Sequence, residues 1–193
     1  DVYKRQTKEL EIVARVEAAL LKGARNYFIR EGFIEINAPH ITKATGACEN
    51  IDTLFGLEYF GKQGYLSQTQ QLYLEAMIPR LKKVWCVGPS FRAEPEVDGR
   101  HLTEFTLIEL EFNGNLSQLM RHIENIIFSM IQEVLRERKS ELLLLNADEK
   151  KLLPELEKRG LVEGRERAER SIEISELGKQ ALEVLPKIKG RAY

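Results

Sequence analysis

Gly88-Pro89-Ser90-Phe91-Arg92-Ala93-Glu94, followed after a short loop by Arg100-His101-Leu102-Thr103-Glu104-Phe105, decides how this sequence is read. Lys83 to Val87 before it and Thr103 to Phe112 after it carry strand patterns, and Gly88 to Leu102 reads as a turn or loop rich in Pro, Asp and Gly. The result is a hairpin with Arg and Glu at its base and an Arg-His pair and an aromatic on its return. Such a hairpin can offer guanidinium groups to a phosphate, a carboxylate to an amine and a flat ring to a base. On spacing alone, a salt-bridged surface hairpin explains the same residues equally well.

Outward from the hairpin, Lys8 to Arg30 reads as one long helix, with Leu10, Val13, Val16, Leu20, Ala24 and Phe28 as its apolar stripe. Gly32 stops it, and Phe33 to Asn37 alternates as a strand ending at Pro39. Ile41 to Asn50 reads as a loop. Leu54 to Phe60 and Gly64 to Ser67 read as short strands joined by a turn at Gly61-Lys62-Gln63-Gly64. Gln70 to Leu81 is expected to be helical, as is Ser117 to Lys139, with Ser117 as N-cap. Helices framing strands joined by hairpin turns predict an α+β fold, an antiparallel sheet flanked by helices. Beyond Ser140, Lys150 to Arg159 reads as a short charged helix, Leu161 to Ile174 is polar and ambiguous, and Ser175 to Ile188 reads as helical. The expected organisation is therefore residues 1–8 unassigned or foreign, 9–140 a folded core, and 141–193 a divergent segment with a faint winged-helix pattern.

Composition narrows the function classes. The 193 residues are 43% hydrophobic and 31% charged, enough apolar material for a core and too much for a disordered chain. Lys plus Arg (29) nearly cancels Asp plus Glu (30), so bulk charge argues for neither a nucleic-acid coat nor a basic membrane binder. Uninterrupted apolar runs as short as Leu142 to Leu145, which no other run exceeds, cannot span a bilayer. Cys48 and Cys86 are expected to be buried, reduced thiols of a cytoplasmic protein, and the three histidines form no metal-ligand pair at helical spacing. Trp85 and Tyr73 read as core residues and His122 as structural. Glu109 and Glu111 lie on the returning strand, where a site-facing and a solvated reading both stand.

The order Phe-Arg-Ala-Glu, loop, Arg-His-Leu-x-Glu-Phe resembles motif 2 of the class II aminoacyl-tRNA synthetases, in the form shared by the aspartyl and asparaginyl enzymes. Arg30-Glu31-Gly32-Phe33-Ile34-Glu35-Ile36-Asn37-Ala38-Pro39 resembles motif 1, the element of the dimer interface. Tyr65-Leu66-Ser67-Gln68-Thr69-Gln70-Gln71-Leu72-Tyr73-Leu74-Glu75 resembles the amino-acid-pocket segment of that subclass. The resemblance covers about residues 9–138. It implies that Arg92 holds the α-phosphate of ATP, Glu94 accepts from the adenine amino group, Phe105 stacks on the ring, and Arg100 and His101 meet the pyrophosphate. Glu49 would grip the substrate's α-ammonium and Gln71 its carboxyl or amino end. The implied reaction is adenylation of an amino acid with ATP and Mg2+, without a covalent enzyme intermediate and with no residue assigned as a metal ligand. A homodimer follows from motif 1, and tRNA is the implied acceptor.

Within the resemblance, Leu74 stands where aspartyl enzymes carry a Lys that neutralises the substrate carboxylate, and Glu75 follows it. An apolar residue cannot compensate a buried carboxylate, whereas a glutamate can accept from a side-chain amide. Asparagine is thus expected over aspartate. No Gly-x-Gly-x-x-Arg follows Phe112, so motif 3 is expected to be absent, together with the anticodon-reading barrel. Two other readings stay open: a paralogue without an anticodon domain that activates aspartate for amide or peptide formation, and a non-catalytic regulator that binds an amino acid or nucleotide.

Overall fold

The computed structural model describes residues 7–43, 50–94 and 102–145. The expected helices beyond residue 146 lie outside these. The chain divides into two compact units, Gly32–Asn113 and a second made of Asp1–Glu31 with Gly114–Tyr193.

The second unit is helical. Helix α1 runs Lys8–Arg30, the span its apolar periodicity predicts, and Thr7 caps it by accepting the Leu10 amide. Helix α3 runs Leu116–Glu137, and α4, Lys139–Leu144, follows. The expected Ser117 cap is replaced by Asn115. Asn115 accepts from the Gln118 backbone while the Gln118 side chain accepts from the Asn115 amide, a reciprocal pair that satisfies two donors where Ser117 could satisfy one. Ala19, Val134 and Leu142 form the core, with Val16, Leu20 and Leu135 packed against them. Gly23 brings α1 so close to α3 that Ser129 Oγ donates to the Gly23 carbonyl at 2.8 Å. His122 has the structural role expected of it. Its Nδ1 lies 2.7 Å from the Tyr27 hydroxyl, and Tyr27 itself is buried.

Gly32–Asn113 holds two three-stranded sheets. In one, β1 (Ile34–Glu35) lies parallel to β5 (Lys83–Phe91), which pairs antiparallel with β6 (Glu104–Phe112). In the other, β4 (Lys62–Leu66) runs antiparallel between β2 (Ile41–Thr42) and β3 (Gly56–Tyr59). Helix α2 spans Gln71–Leu81. The α+β class holds, with one parallel pair added to the antiparallel ladders.

Local differences from the expectation have physical reasons. Strand β1 is two residues long instead of five, because β5 pairs with Ile34 and Glu35 and takes one further bond from the Ile36 amide to the Trp85 carbonyl. Ile41 and Thr42, read as the start of a loop, pair with Leu66 and Tyr65. The β3–β4 turn falls at Phe60 and Gly61, both at positive φ, instead of at Gly61–Gly64. Strand β5 runs four residues beyond Val87 through Gly88-Pro89-Ser90-Phe91, of which Gly88 and Pro89 normally weaken or break strands. Pro89 is tolerated because the Trp85 carbonyl, four residues before it, and the Phe91 amide, two residues after it, both point away from β6; in phase with them, its missing N–H falls on that side and costs the ladder nothing. Trp85 and Cys86 are buried as core residues, and burial pushes the Cys86 thiol up to about 12, which leaves it inert. Cys48 lies outside the described residues.

Candidate active site

The antiparallel register places Val84, Cys86, Gly88 and Ser90 of β5 opposite Glu111, Glu109, Leu107 and Phe105 of β6. Because side chains alternate, these eight share one face of the sheet. Helix α2 covers the Val84–Cys86 end, where Leu74, fully buried, packs with both. The Ser90–Phe105 end carries the hairpin that drew attention in the sequence.

At that end, Ser90 is buried and donates to the Gln68 carbonyl at 2.7 Å, while Arg92 Nε approaches Ser90 Oγ at 3.4 Å. The Arg92 guanidinium lies 5.9 Å above the Phe105 ring, and its backbone amide donates to the Thr103 carbonyl at 2.8 Å. Arg92 and Phe105 are thus brought together, a cation beside a half-buried ring at the open end of the sheet face. The Ala93 amide donates to the Thr53 carbonyl at 2.8 Å and fixes the strand exit that leads to Glu94. The buried Gln68 joins the two segments from beneath, since its Nε2 donates to the Asn50 and Thr53 carbonyls and to Thr53 Oγ1. Gln71 and Glu75 also meet: one turn apart on α2, Gln71 Nε2 donates to Glu75 Oε1 at 2.7 Å. Glu49, Arg100 and His101 lie outside the described residues.

The structure settles the question left over Glu109. Its carboxylate accepts the Thr69 hydroxyl and the Gln70 amide, at 2.9 and 3.1 Å for the two oxygens, and so caps the start of α2. No local pattern in the sequence could find this, because the cap and the helix are 39 residues apart. Glu111, two residues on and on the same face, is pushed up to about 7 by burial and by the charges of Glu75 and Glu109. Among the described residues, the charged groups that raise Glu111 are the carboxylates of Glu75 and Glu109. Folded chain holds this proton more tightly than unfolded chain, so the group favours folding fully below about pH 4.5, and that contribution is lost as pH rises through about 7. Glu111→Gln should flatten the urea midpoint between about pH 5 and 8. At the upper end it should stabilise the fold by on the order of 1 to 2 kcal/mol, solvent at a partly exposed carboxyl having reduced the full cost. A midpoint that keeps its slope in the variant would assign the pH dependence to another group.

No group of three or more His, Cys, Asp or Glu side chains is placed to hold a metal ion among the described residues. The described side chains set a guanidinium beside a ring at one end of the sheet face and the carboxyl groups of Glu109 and Glu111 under α2 at the other.

Residues 2–183 match the family described as tRNA synthetases class II (D, K and N). The chain belongs to this family. It is 42% identical over 144 residues to the asparagine--tRNA ligase of Pyrococcus abyssi, an alignment of 74% of this chain and 33% of that protein. With the asparagine--tRNA ligase of Thermococcus gammatolerans it shares 44% identity over 131 residues, 67% of this chain and 30% of the relative. The crystal structure of asparaginyl-tRNA synthetase from Pyrococcus horikoshii, complexed with asparaginyl-adenylate, superposes with a TM-score of 0.71 at 32% identity, covering 97% of this chain and 40% of that one. The chain spans about a third of the length of the curated relatives it matches. No helix among the described residues is long and apolar enough to cross a membrane.

Proposed function

We propose that this chain is part of the catalytic domain of an asparagine--tRNA ligase. In this reading a carboxylate oxygen of asparagine attacks the α-phosphorus of ATP, the bond from that phosphorus to the β-phosphate oxygen breaks, and asparaginyl-adenylate and pyrophosphate form. The asparaginyl group then passes to tRNA. Arg92 meets the α-phosphate and stabilises the charge that develops there; Phe105 stacks on adenine and Glu94 accepts from its amino group. Arg100 and His101 meet the pyrophosphate, and Glu49, Gln71 and Glu75 hold the amino acid. Residues 9–140 form the core of that domain. The same reading includes a cytoplasmic homodimer.

The observation that carries asparagine over aspartate is the charge on the sheet face. Leu74 is fully buried and supplies no cation, and the charged groups among the described residues that raise Glu111, Glu75 and Glu109, are acidic. A substrate carboxylate entering this field meets repulsion, whereas a neutral amide can donate into it. The relatives named as asparagine ligases support the same choice. Exchange of labelled pyrophosphate into ATP tests it. Asparagine should support exchange at least about 100-fold better than aspartate, the margin a repelled charge and an unpaired polar group provide. Equal or better exchange with aspartate would overturn the substrate, and no exchange with either would overturn the activation reading.

A further inference from the structure

His40 lies just before β2, and its imidazole reaches a point where three segments of the Gly32–Asn113 unit meet. Its carbonyl accepts the Ser67 amide at 2.9 Å, which ties it to the end of β4. Its Nδ1 is 3.1 Å from Gln70 Nε2, the amide of the residue that precedes α2. Its Cε1 passes over Gly88 of β5 so closely that a Cβ there would stand 3.2 Å from it, tighter than an ordinary contact. Gln70 is almost completely buried.

The Gln70 amide has two hydrogens and two acceptors to use them. One bond goes to Ser67 Oγ at 2.9 Å and the other to His40 Nδ1, while Oε1 is enclosed with no partner. Turning the amide over would satisfy Oε1 and strand an NH2 with two donors, so one end is unsatisfied either way. The arrangement that uses both hydrogens requires Nδ1 to be the bare, accepting nitrogen. The backbone of the same residue is held from the other side, because the Gln70 N–H donates to Glu109. The Gln70 carbonyl then accepts the Tyr73 and Leu74 amides at 3.0 and 3.1 Å and starts the helix. Gln70 is therefore clamped between a carboxylate and an imidazole, and Gln71 is the next residue.

We infer that His40 is a positioning residue, which fixes the start of α2 through the Gln70 amide and so sets the placement of Gln71 and Glu75 for the amino acid. Its action on the amino acid rests on the activation reading above; its hold on α2 does not. Two variants separate the two parts. His40→Ala removes the acceptor, while His40→Asn can present its side-chain oxygen where Nδ1 stands. Amide hydrogen exchange at Tyr73 and Leu74 should quicken about 10-fold in His40→Ala and return to within about threefold of the original in His40→Asn. Nitrogen chemical shifts of the imidazole should show the tautomer with the proton on Nε2. In pyrophosphate exchange, the KM for asparagine should rise about 10-fold in His40→Ala, with the KM for ATP within about twofold, and the Asn variant should restore it. Unchanged protection at Tyr73 and Leu74, or a proton on Nδ1, overturns the proposal whatever the activity. Restored protection with no difference in KM overturns its functional half. Absence of exchange in the unsubstituted protein removes the activation reading and leaves the hold on α2 to be decided by the first two measurements.

Discussion

Arg92→Ala is expected to lower asparagine-dependent exchange of pyrophosphate into ATP by about 10²- to 10³-fold, the usual loss when a charge-stabilising group is removed from a developing anion. Among its contacts Arg92 gives up a cation–ring contact at 5.9 Å and a long approach to Ser90 at 3.4 Å. Ser90 keeps its bond to the Gln68 carbonyl, so the floor beneath the site stays in place. Arg92→Lys should recover little of the lost rate, because an ammonium lacks the planar fork that can meet two phosphate oxygens while lying along a ring. Phe105→Ala is the companion test. It should raise the KM for ATP about 10-fold and leave the KM for asparagine nearly unchanged, since the ring is on the nucleotide side of the reading. Arg92→Ala within about threefold of the original rate would remove Arg92 from the chemistry.

How much of this was legible in the sequence depends on whether the signal was local. The span of helix α1 was legible, because its periodicity and its stop at Gly32 lie within one continuous stretch, but its buried face was legible only in part, since Leu10 and Val13 of the expected stripe are exposed while Ile12, Ala19 and Tyr27 are buried. The meeting of Arg92 with Phe105 was legible only through the resemblance, because the strand read from Lys83 to Val87 stopped short of the register that sets Ser90 opposite Phe105. The Gln71–Glu75 pair was written in its four-residue spacing. What stayed hidden was set at a distance. Glu109 caps α2 only once β5 has paired with β6 and α2 has folded over both, and nothing near Glu109 in the chain announces a helix start. His40 became visible only as the neighbour of Gly88, 48 residues later, and of Gln70. Gly88 and Pro89 were misleading in a useful way. Read as breakers, they ended a strand that in fact continues, because one makes room for an imidazole and the other turns its missing donor away from the ladder.

The largest expected loss of stability comes from a residue with no part in the chemistry. At Gly23 an added Cβ would stand 2.5 Å from the Ser129 carbonyl oxygen and 2.6 Å from Met130 Cα, both backbone atoms of α3, with Glu133 Cβ at 3.0 Å. A flexible side chain could turn aside from such a contact; the backbone of a helix cannot, so α1 and α3 must move apart. Two effects then oppose each other. Alanine is the better helix former by about 1 kcal/mol, which favours the substitution. Forcing apart a packed seam costs about 1 to 3 kcal/mol or more. Here the seam also contains the bond from Ser129 Oγ to the Gly23 carbonyl, worth about another 1 kcal/mol. The clash wins, and Gly23→Ala should destabilise the helical unit by about 2 kcal/mol, lowering its midpoint in thermal unfolding by about 4 to 8 °C. Ser129→Ala separates the contributions, since it removes the bond without the clash and should cost only about 1 kcal/mol. The pair Lys22–Glu137 and the Arg136–Glu133 bridge, close by on the same two helices, are exposed at their cationic ends and cannot offset a backbone collision. If Gly23→Ala leaves the midpoint unchanged or raises it, helix propensity has prevailed, and the two helices do not approach as closely at Gly23 as the seam requires.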